Sequence, residues 1–153
     1  MAAVRRALDE SGLPPACLGL ELTEQVLVVD ESDALRTLTE LKEVGVQLLL
    51  DDFGTGFSSL SHLKRFPIDV VKIDRSFIEG LGTPAGSGDA AIVSAIVGMG
   101  RATGKQVIPE GIEGAAQALE LQRLGCESGQ GYHFARPMQV GDFDEWIRGA
   151  PPR

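Results

Sequence analysis

Apolar residues recur along the chain in two alternating periods. Leu35, Leu38, Leu41 and Val44 stand three residues apart behind Ser32 and Asp33, which predicts a capped amphipathic helix that Gly45 ends. Residues 46–50 follow as a run that is apolar but for Gln47, bounded by that glycine and by Asp51-Asp52, the pattern of a parallel strand buried on both faces. The unit then repeats. Ile92, Val93, Ile96 and Val97 predict a helix stopped by Gly104, and residues 106–108 run on into Glu110. Ala118, Leu121 and Leu124 predict another helix, stopped by Gly125, before a strand over about residues 128–134 that contains Gln130. Residues 18–22, leading into Glu21 and Glu24, and residues 69–73, carrying Lys72, read as two further strands, making five.

Alternating strands and helices of this kind predict an α/β fold with a mostly parallel sheet, helices outside, and a site where polar residues gather at the carboxyl ends of the strands. A complete eight-stranded barrel takes ~250 residues. With 153 residues and five βα units, the expectation is an incomplete (β/α)8 TIM-type barrel, roughly three units short, with the deficit before Leu18. Residues 83–89, rich in glycine with a proline, read as a flexible surface connection rather than a domain boundary, so residues 1–153 are expected to form one domain.

Composition narrows the chemistry. The chain is 43% hydrophobic and 24% charged, the profile of a folded unit and not of a disordered one. A formal charge of −8 repels a nucleic-acid polymer, so a phosphate ligand needs a local device such as a metal ion. Two cysteines, Cys17 and Cys126, and two histidines, His62 and His133, do not assemble a Cys/His zinc site; the thiols read as buried or idle and the histidines as structural. Arg5 and Arg6 have no apolar stretch behind them, and no run approaches ~18 consecutive apolar residues, so a cytoplasmic protein without a membrane segment is expected.

Two adjacent carboxylates straight after a buried strand repel each other unless a cation or a proton intervenes, which makes Asp51 and Asp52 either a solvated cap or a metal site. Gly54 and Gly56, in the run Phe53-Gly-Thr-Gly-Phe57 with Thr55, let the backbone turn close over them. Glu21 with Glu24, and Glu110 with Glu113, end two further strands at i and i+3; alone, each pair would simply favour the start of a following helix. Three acidic clusters on one face, free of histidine and cysteine, instead select hard ions such as Mg²⁺ or Mn²⁺. Lys72 lies within the apolar run 70–73 and is expected to point into the barrel among those carboxylates, where it could hold a water or a phosphate oxygen; a strand-edge lysine in solvent is the alternative. Carboxylate-bridged metals beside a charged lysine point to metal-dependent hydrolysis of a phosphoester.

The runs Glu-Leu-Thr-Glu24, Asp51-Asp-Phe-Gly-Thr-Gly-Phe-Ser-Ser-Leu60, Val71-Lys-Ile-Asp74, Glu110-Gly-Ile-Glu113 and Gly129-Gln-Gly-Tyr-His-Phe-Ala-Arg-Pro137 together resemble the EAL family of bacterial cyclic di-GMP phosphodiesterases, in order and in spacing, from about Leu18 to Pro137. The resemblance implies hydrolysis of cyclic di-GMP to linear pGpG with two Mg²⁺ or Mn²⁺ ions on a modified TIM barrel. By motif position, Glu21 and Asp51 resemble ligands of a first ion, and Asp51 bridges to a second held by Asp52 and Glu110. Lys72 matches the residue that positions the attacking water, and Glu24 the glutamate that steadies the loop through Gly54, Thr55 and Gly56. Glu113 and Gln130 match supporting positions around metal, water and substrate.

The family's Glu-Ala-Leu strand, with two further ligands of the first ion, has no counterpart among these motifs. Two carboxylates alone hold Mg²⁺ loosely, because several of its waters must remain. A catalytically silent module that binds cyclic di-GMP or a protein partner therefore stands beside the enzyme reading. An incomplete barrel would also expose strand edges and apolar faces, which leads to the expectation of a homodimer or of association through those edges.

Overall fold

The computed structural model describes residues 1–54, 60–83 and 86–149, without the side chains of residues 28, 29 and 60–62. Its centre is a four-stranded, wholly parallel sheet in the order β1 (Gly19–Thr23), β2 (Gln47–Phe53), β3 (Val70–Ile73) and β4 (Gln106–Pro109). Helices α1 (Ala2–Ser11), α2 (Glu24–Val29), α3 (Glu31–Val44), α4 (Leu60–Arg65), α5 (Ser87–Thr103), α6 (Ala115–Arg123) and α7 (Val140–Gly149) precede, connect and follow the strands. Among the described residues, no helix is long and apolar enough to cross a membrane.

The expected α/β class and parallel pairing hold, with four strands among the described residues in place of the five expected. Residues 128–134 form a turn-rich segment that reaches β4 through Ser128, whose Oγ accepts from Gln106 Nε2 at 3.1 Å, and through Gln130, which donates its N–H to the Pro109 carbonyl at 2.9 Å and whose own carbonyl accepts from Ile112 N–H at 3.1 Å. A strand there would be an edge strand bonded on one side only, because among the described residues nothing pairs with its far side. The stretch 83–89 also differs from expectation: Ser87, Gly88 and Asp89 form the first turn of α5, and residues 84–85 lie outside the described residues.

Side chains alternate across the sheet with the period of two that extended backbone imposes. The register aligns Leu48 and Leu50 of β2 with Leu20 and Leu22 of β1, and Val71 of β3 with Leu50 and Val107. This row faces the helices and forms the core with Val93, Ile96 and Val97 of α5, Leu38 of α3, Phe66 and Ile78. Fully burying each such side chain is worth about 1.5–3 kcal/mol. The other row carries Glu21, Leu49, Asp51, Lys72 and Ile108, the face that would line a barrel. Only β3, in the middle of the sheet, is buried on both faces; β2 and β4 alternate between buried and more exposed positions, contrary to the expectation of continuous burial.

Helix boundaries follow local chemistry. α3 is capped by Asp30, whose carboxylate accepts the Asp33 N–H at 3.0 Å; Ser32 and Asp33, expected as the cap, sit inside the first turn. Gly45 and Gly104 end α3 and α5 as expected, both with positive φ. At the amino ends of the strands, Asp69 accepts from Lys42 Nζ through both oxygens, at 2.9 and 2.7 Å, and from Leu48 N–H at 2.8 Å, tying α3 to β2 and β3. Asp69→Ala removes three acceptor contacts at once, and a loss of about 1–3 kcal/mol in unfolding free energy is expected in a urea titration. An unchanged midpoint would show the brace to be ornamental.

Candidate metal and substrate site

The site lies at the carboxyl ends of the strands and depends on an irregularity in β2. The pairing of β2 with β3 runs Leu50 opposite Val71 and then Phe53 opposite Ile73, so β2 spends one extra residue there. The bulge falls on the two aspartates, and Asp52 has a φ of 52°, in the left-handed region that aspartate tolerates better than most residues. In a regular strand Asp51 and Asp52 would point to opposite faces. The bulge turns both to the same mouth, where carboxylate oxygens of Asp51, Asp52 and Glu110 lie within 4.8 Å of one another.

Lys72 rises into this group from β3. It is 4% exposed, which disposes of the solvent-edge alternative, and its Nζ lies 2.6 Å from Glu110 Oε1, 2.8 Å from Glu21 Oε1 and 3.1 Å from Asp51 Oδ1. Burial alone would favour the neutral amine, but the carboxylates of Glu110, Glu21 and Asp51 outweigh it and hold the ammonium above its ordinary pKa. Burial raises the Glu110 pKa, Lys72 works against the rise, and the negative charges of Asp51 and Glu21 add to it. Asp52, at the rim, is lifted by loss of water around it and then by its neighbours Asp51 and Asp74.

The donor set is oxygen only, as hard divalent ions prefer. Asp51 Oδ1 is buried and finds no hydrogen-bond partner; Lys72 Nζ is within ion-pair reach but donates no aligned hydrogen bond to it. A buried carboxylate oxygen with nothing to accept is a position that a cation would satisfy. The residues therefore fit a metal ion. Glu21, expected as a first-ion ligand with Asp51, stands outside the three-carboxylate group and is tied to Lys72 instead.

Glu24 opens α2, is 7% exposed, and its Oε1 accepts the Gly54 N–H at 3.1 Å. Gly54 has a φ of 101°, and a β-carbon there would lie 2.9 Å from the Phe77 ring, so both conformation and space call for glycine. Thr55 and Gly56 lie outside the described residues, as does the side chain of His62. Glu113 and Gln130 line a cleft of about 320 Å³ together with Asp52 and Glu110. Asp74, Arg75 and Tyr132, which the sequence did not single out, line it too. Asp74 carried a signal: like the other acidic residues it directly follows a strand. His133 is exposed with its ring edge-on to Phe134, and burial pushes the Cys126 thiol up to about 11, leaving it unreactive.

Comparison with known proteins gives consistent results. The EAL domain family profile matches residues 1–137, taking in the amino-terminal helix as well as the motifs. Cyclic di-GMP phosphodiesterase NbdA of Pseudomonas aeruginosa is 41% identical over 154 residues, covering 97% of this chain and 19% of its own length. The phosphodiesterase MucR of the same organism, solved as a cyclic di-GMP complex, superimposes with a TM-score of 0.86 at 45% identity, covering 93% of this chain and 57% of that one. Klebsiella pneumoniae BlrP1, solved with manganese and cyclic di-GMP, gives a TM-score of 0.80 at 30% identity, covering 89% and 34%. The chain spans about a fifth of the length of the curated relatives it matches, 19% and 20% for the first two.

Proposed function

The chain belongs to the EAL domain family, and from that premise we propose that it carries the metal and lysine portion of a phosphodiesterase site that hydrolyses cyclic di-GMP to linear pGpG. The observation that carries this reading is the convergence of Asp51, Asp52 and Glu110 within 4.8 Å beside a buried, charged Lys72. Two divalent ions, Mg²⁺ or Mn²⁺, would supply a nucleophilic water and neutralise charge developing on the phosphate.

The chain's own groups divide the remaining work. Asp51, Asp52 and Glu110 would hold one ion, and Asp51 with Glu21 would contribute to the other. Glu21 would leave Lys72 to do so, since it is the most exposed of the three carboxylates paired with it, at 51%. Lys72, kept protonated by its neighbours, is a hydrogen-bond donor and not a base, suited to hold the attacking water or a phosphate oxygen. Glu24 fixes the backbone at Gly54, two residues after Asp52. Glu113 and Gln130 line the cleft where the substrate would lie. On this reading the protein works in the cytoplasm with its substrate.

The separation of Glu21 from the three-carboxylate group supports a second reading, binding of cyclic di-GMP without turnover. Association is part of the proposal as well: α7 has no buried residue and exposes Val140, Phe143 and Ile147, while β1 and β4 each have one strand neighbour among the described residues. The discriminating measurement is chromatography of cyclic di-GMP after incubation with the intact protein. Conversion to pGpG that stops in EDTA and returns with Mn²⁺ is expected. Calorimetric binding with no product under the same conditions would replace the enzyme by the binding module.

A further inference from the structure

Behind the acidic cleft, one side chain joins the connections that follow β3 and β4. The last strand bond between them runs from Glu110 N–H to the Ile73 carbonyl at 3.0 Å. Beyond it, among the described residues, Gln117 of α6 makes every hydrogen bond that links residues 74–83 to the start of α6. Its Oε1 accepts the N–H groups of Glu113 and Gly114 at 2.8 and 2.9 Å, and its Nε2 donates to the carbonyls of Ile78 at 3.1 Å and Glu79 at 3.4 Å. Turning the amide over would set donor against donor and acceptor against acceptor, so its orientation is fixed. The first half of this set is a local cap. Gly114 stands at the cap position of α6 without a side chain to receive the free N–H groups, and Gln117 reaches back to do so. The second half crosses to a segment nearly forty residues upstream and adds nothing to the cap.

Each half holds a residue that lines the cleft. Glu113 is held through its own N–H. On the other side Glu79, whose carbonyl Gln117 engages, keeps Arg75 in place, its Oε1 accepting from Arg75 Nε at 2.9 Å and Nη2 at 2.6 Å. The two connections meet at Gly111, where φ is 69° and a β-carbon would collide with Cβ of Arg75. Asp51, Asp52 and Glu110, by contrast, are placed by the strands and by the bulge in β2. Resting on the reading of cyclic di-GMP as substrate, we infer that Gln117 is a positioning residue that sets the width of the substrate cleft, acting through Glu113 and, by way of Glu79, through Arg75. A cleft whose walls are fixed in advance loses less affinity to ordering them when the ligand arrives. The metal ligands do not depend on this clamp, so it acts on substrate binding and not on the ions.

Gln117→Glu separates the two halves. A carboxylate still accepts both N–H groups, at a helix start that favours negative charge, but it has no N–H to give Ile78 and Glu79. In steady-state hydrolysis of cyclic di-GMP by the intact protein with Mn²⁺, Gln117→Glu is expected to raise KM roughly threefold to tenfold, the worth of a hydrogen bond. Over the same series kcat should stay within about twofold and the Mn²⁺ concentration for half-maximal rate should not move. Gln117→Ala loses both halves and should match that KM while melting earlier; because alanine adds no charge, the match excludes repulsion of the phosphates as the cause. Hydrogen exchange without substrate reads the clamp independently of turnover. The amides of Ile78 and Leu81 should exchange faster in both variants, those of Glu113 and Gly114 only in Gln117→Ala. A wild-type KM in either variant, a loss in kcat or Mn²⁺ affinity in place of the KM rise, or unchanged exchange at Ile78 and Leu81 overturns the clamp and leaves the phosphodiesterase reading standing. A wild type that neither binds nor hydrolyses cyclic di-GMP overturns that reading, and the positioning of substrate with it.

Discussion

Lys72→Met is expected to cost the protein stability in EDTA and to recover much of it in Mn²⁺. The variant keeps the length and apolar stem of the side chain and removes the one charge that Glu21, Asp51 and Glu110 share, at 2.8, 3.1 and 2.6 Å. Removing one partner of a buried ion pair leaves the others uncompensated, at about 3–5 kcal/mol. The lower end applies here, because Glu21 is half exposed and water screens it. Divalent ions bound by the same carboxylates would restore the missing positive charge, so Mn²⁺ should raise the melting temperature of the variant more than that of the wild type. Turnover is a separate matter: without the ammonium donor, a loss on the order of 10²–10³-fold is expected even at saturating metal. A melting temperature in EDTA equal to that of wild type would mean that the carboxylates do not depend on Lys72, and the proposed site would lose its central member.

Much of this site was readable from the sequence because it interrupts a strong pattern. A lysine within the apolar run 70–73, or carboxylates at the ends of three such runs, can be placed from period and length alone, and Lys72, Asp51 and Glu110 meet as that reasoning requires. What escaped it is geometry that no run of residues announces. The bulge that turns Asp51 and Asp52 to one side exists only in the pairing of β2 with β3. The tie of Glu21 to Lys72 depends on the register that brings β1, β2 and β3 side by side. Residues 128–134 were expected as a strand, but among the described residues their backbone bonds to β4 at Gln130 alone, and an apolar pattern cannot say how many neighbours a strand will find. Asp30 was passed over as the α3 cap because four residues in succession, Asp30 to Asp33, could serve as a cap or sit in the first turn. The apolar positions of α7, Val140, Phe143, Trp146 and Ile147, did carry helical spacing. Asp74, Arg75 and Tyr132 reach the cleft from loops that follow different strands, a convergence that only the folded chain displays.

Asp51→Asn separates charge from shape at the residue on which the proposed metal site turns. Asparagine fills the same volume and keeps one carbonyl oxygen, but it cannot bridge two cations. Its removal from an in-line displacement should forfeit several kcal/mol of transition-state stabilisation, a fall in turnover on the order of 10³-fold. Metal binding gives an independent readout. At a Mn²⁺ concentration of 100 times its dissociation constant, the wild type should gain about 2.7 kcal/mol, or roughly 5–10 °C in melting temperature, and Asp51→Asn little or none. Acid should mimic the substitution. The pKa values of Asp52 and Glu110 both lie above the usual carboxylate range, Asp52 through loss of water and the charges of Asp51 and Asp74, Glu110 through burial against the pull of Lys72. Protons compete for them sooner than for ordinary carboxylates. The Mn²⁺-induced rise should therefore be full where both groups are ionised and shrink as pH falls through their raised values. A Mn²⁺ effect that survives in Asp51→Asn, or that persists unchanged through that acidic range, would place the ion somewhere other than among Asp51, Asp52 and Glu110.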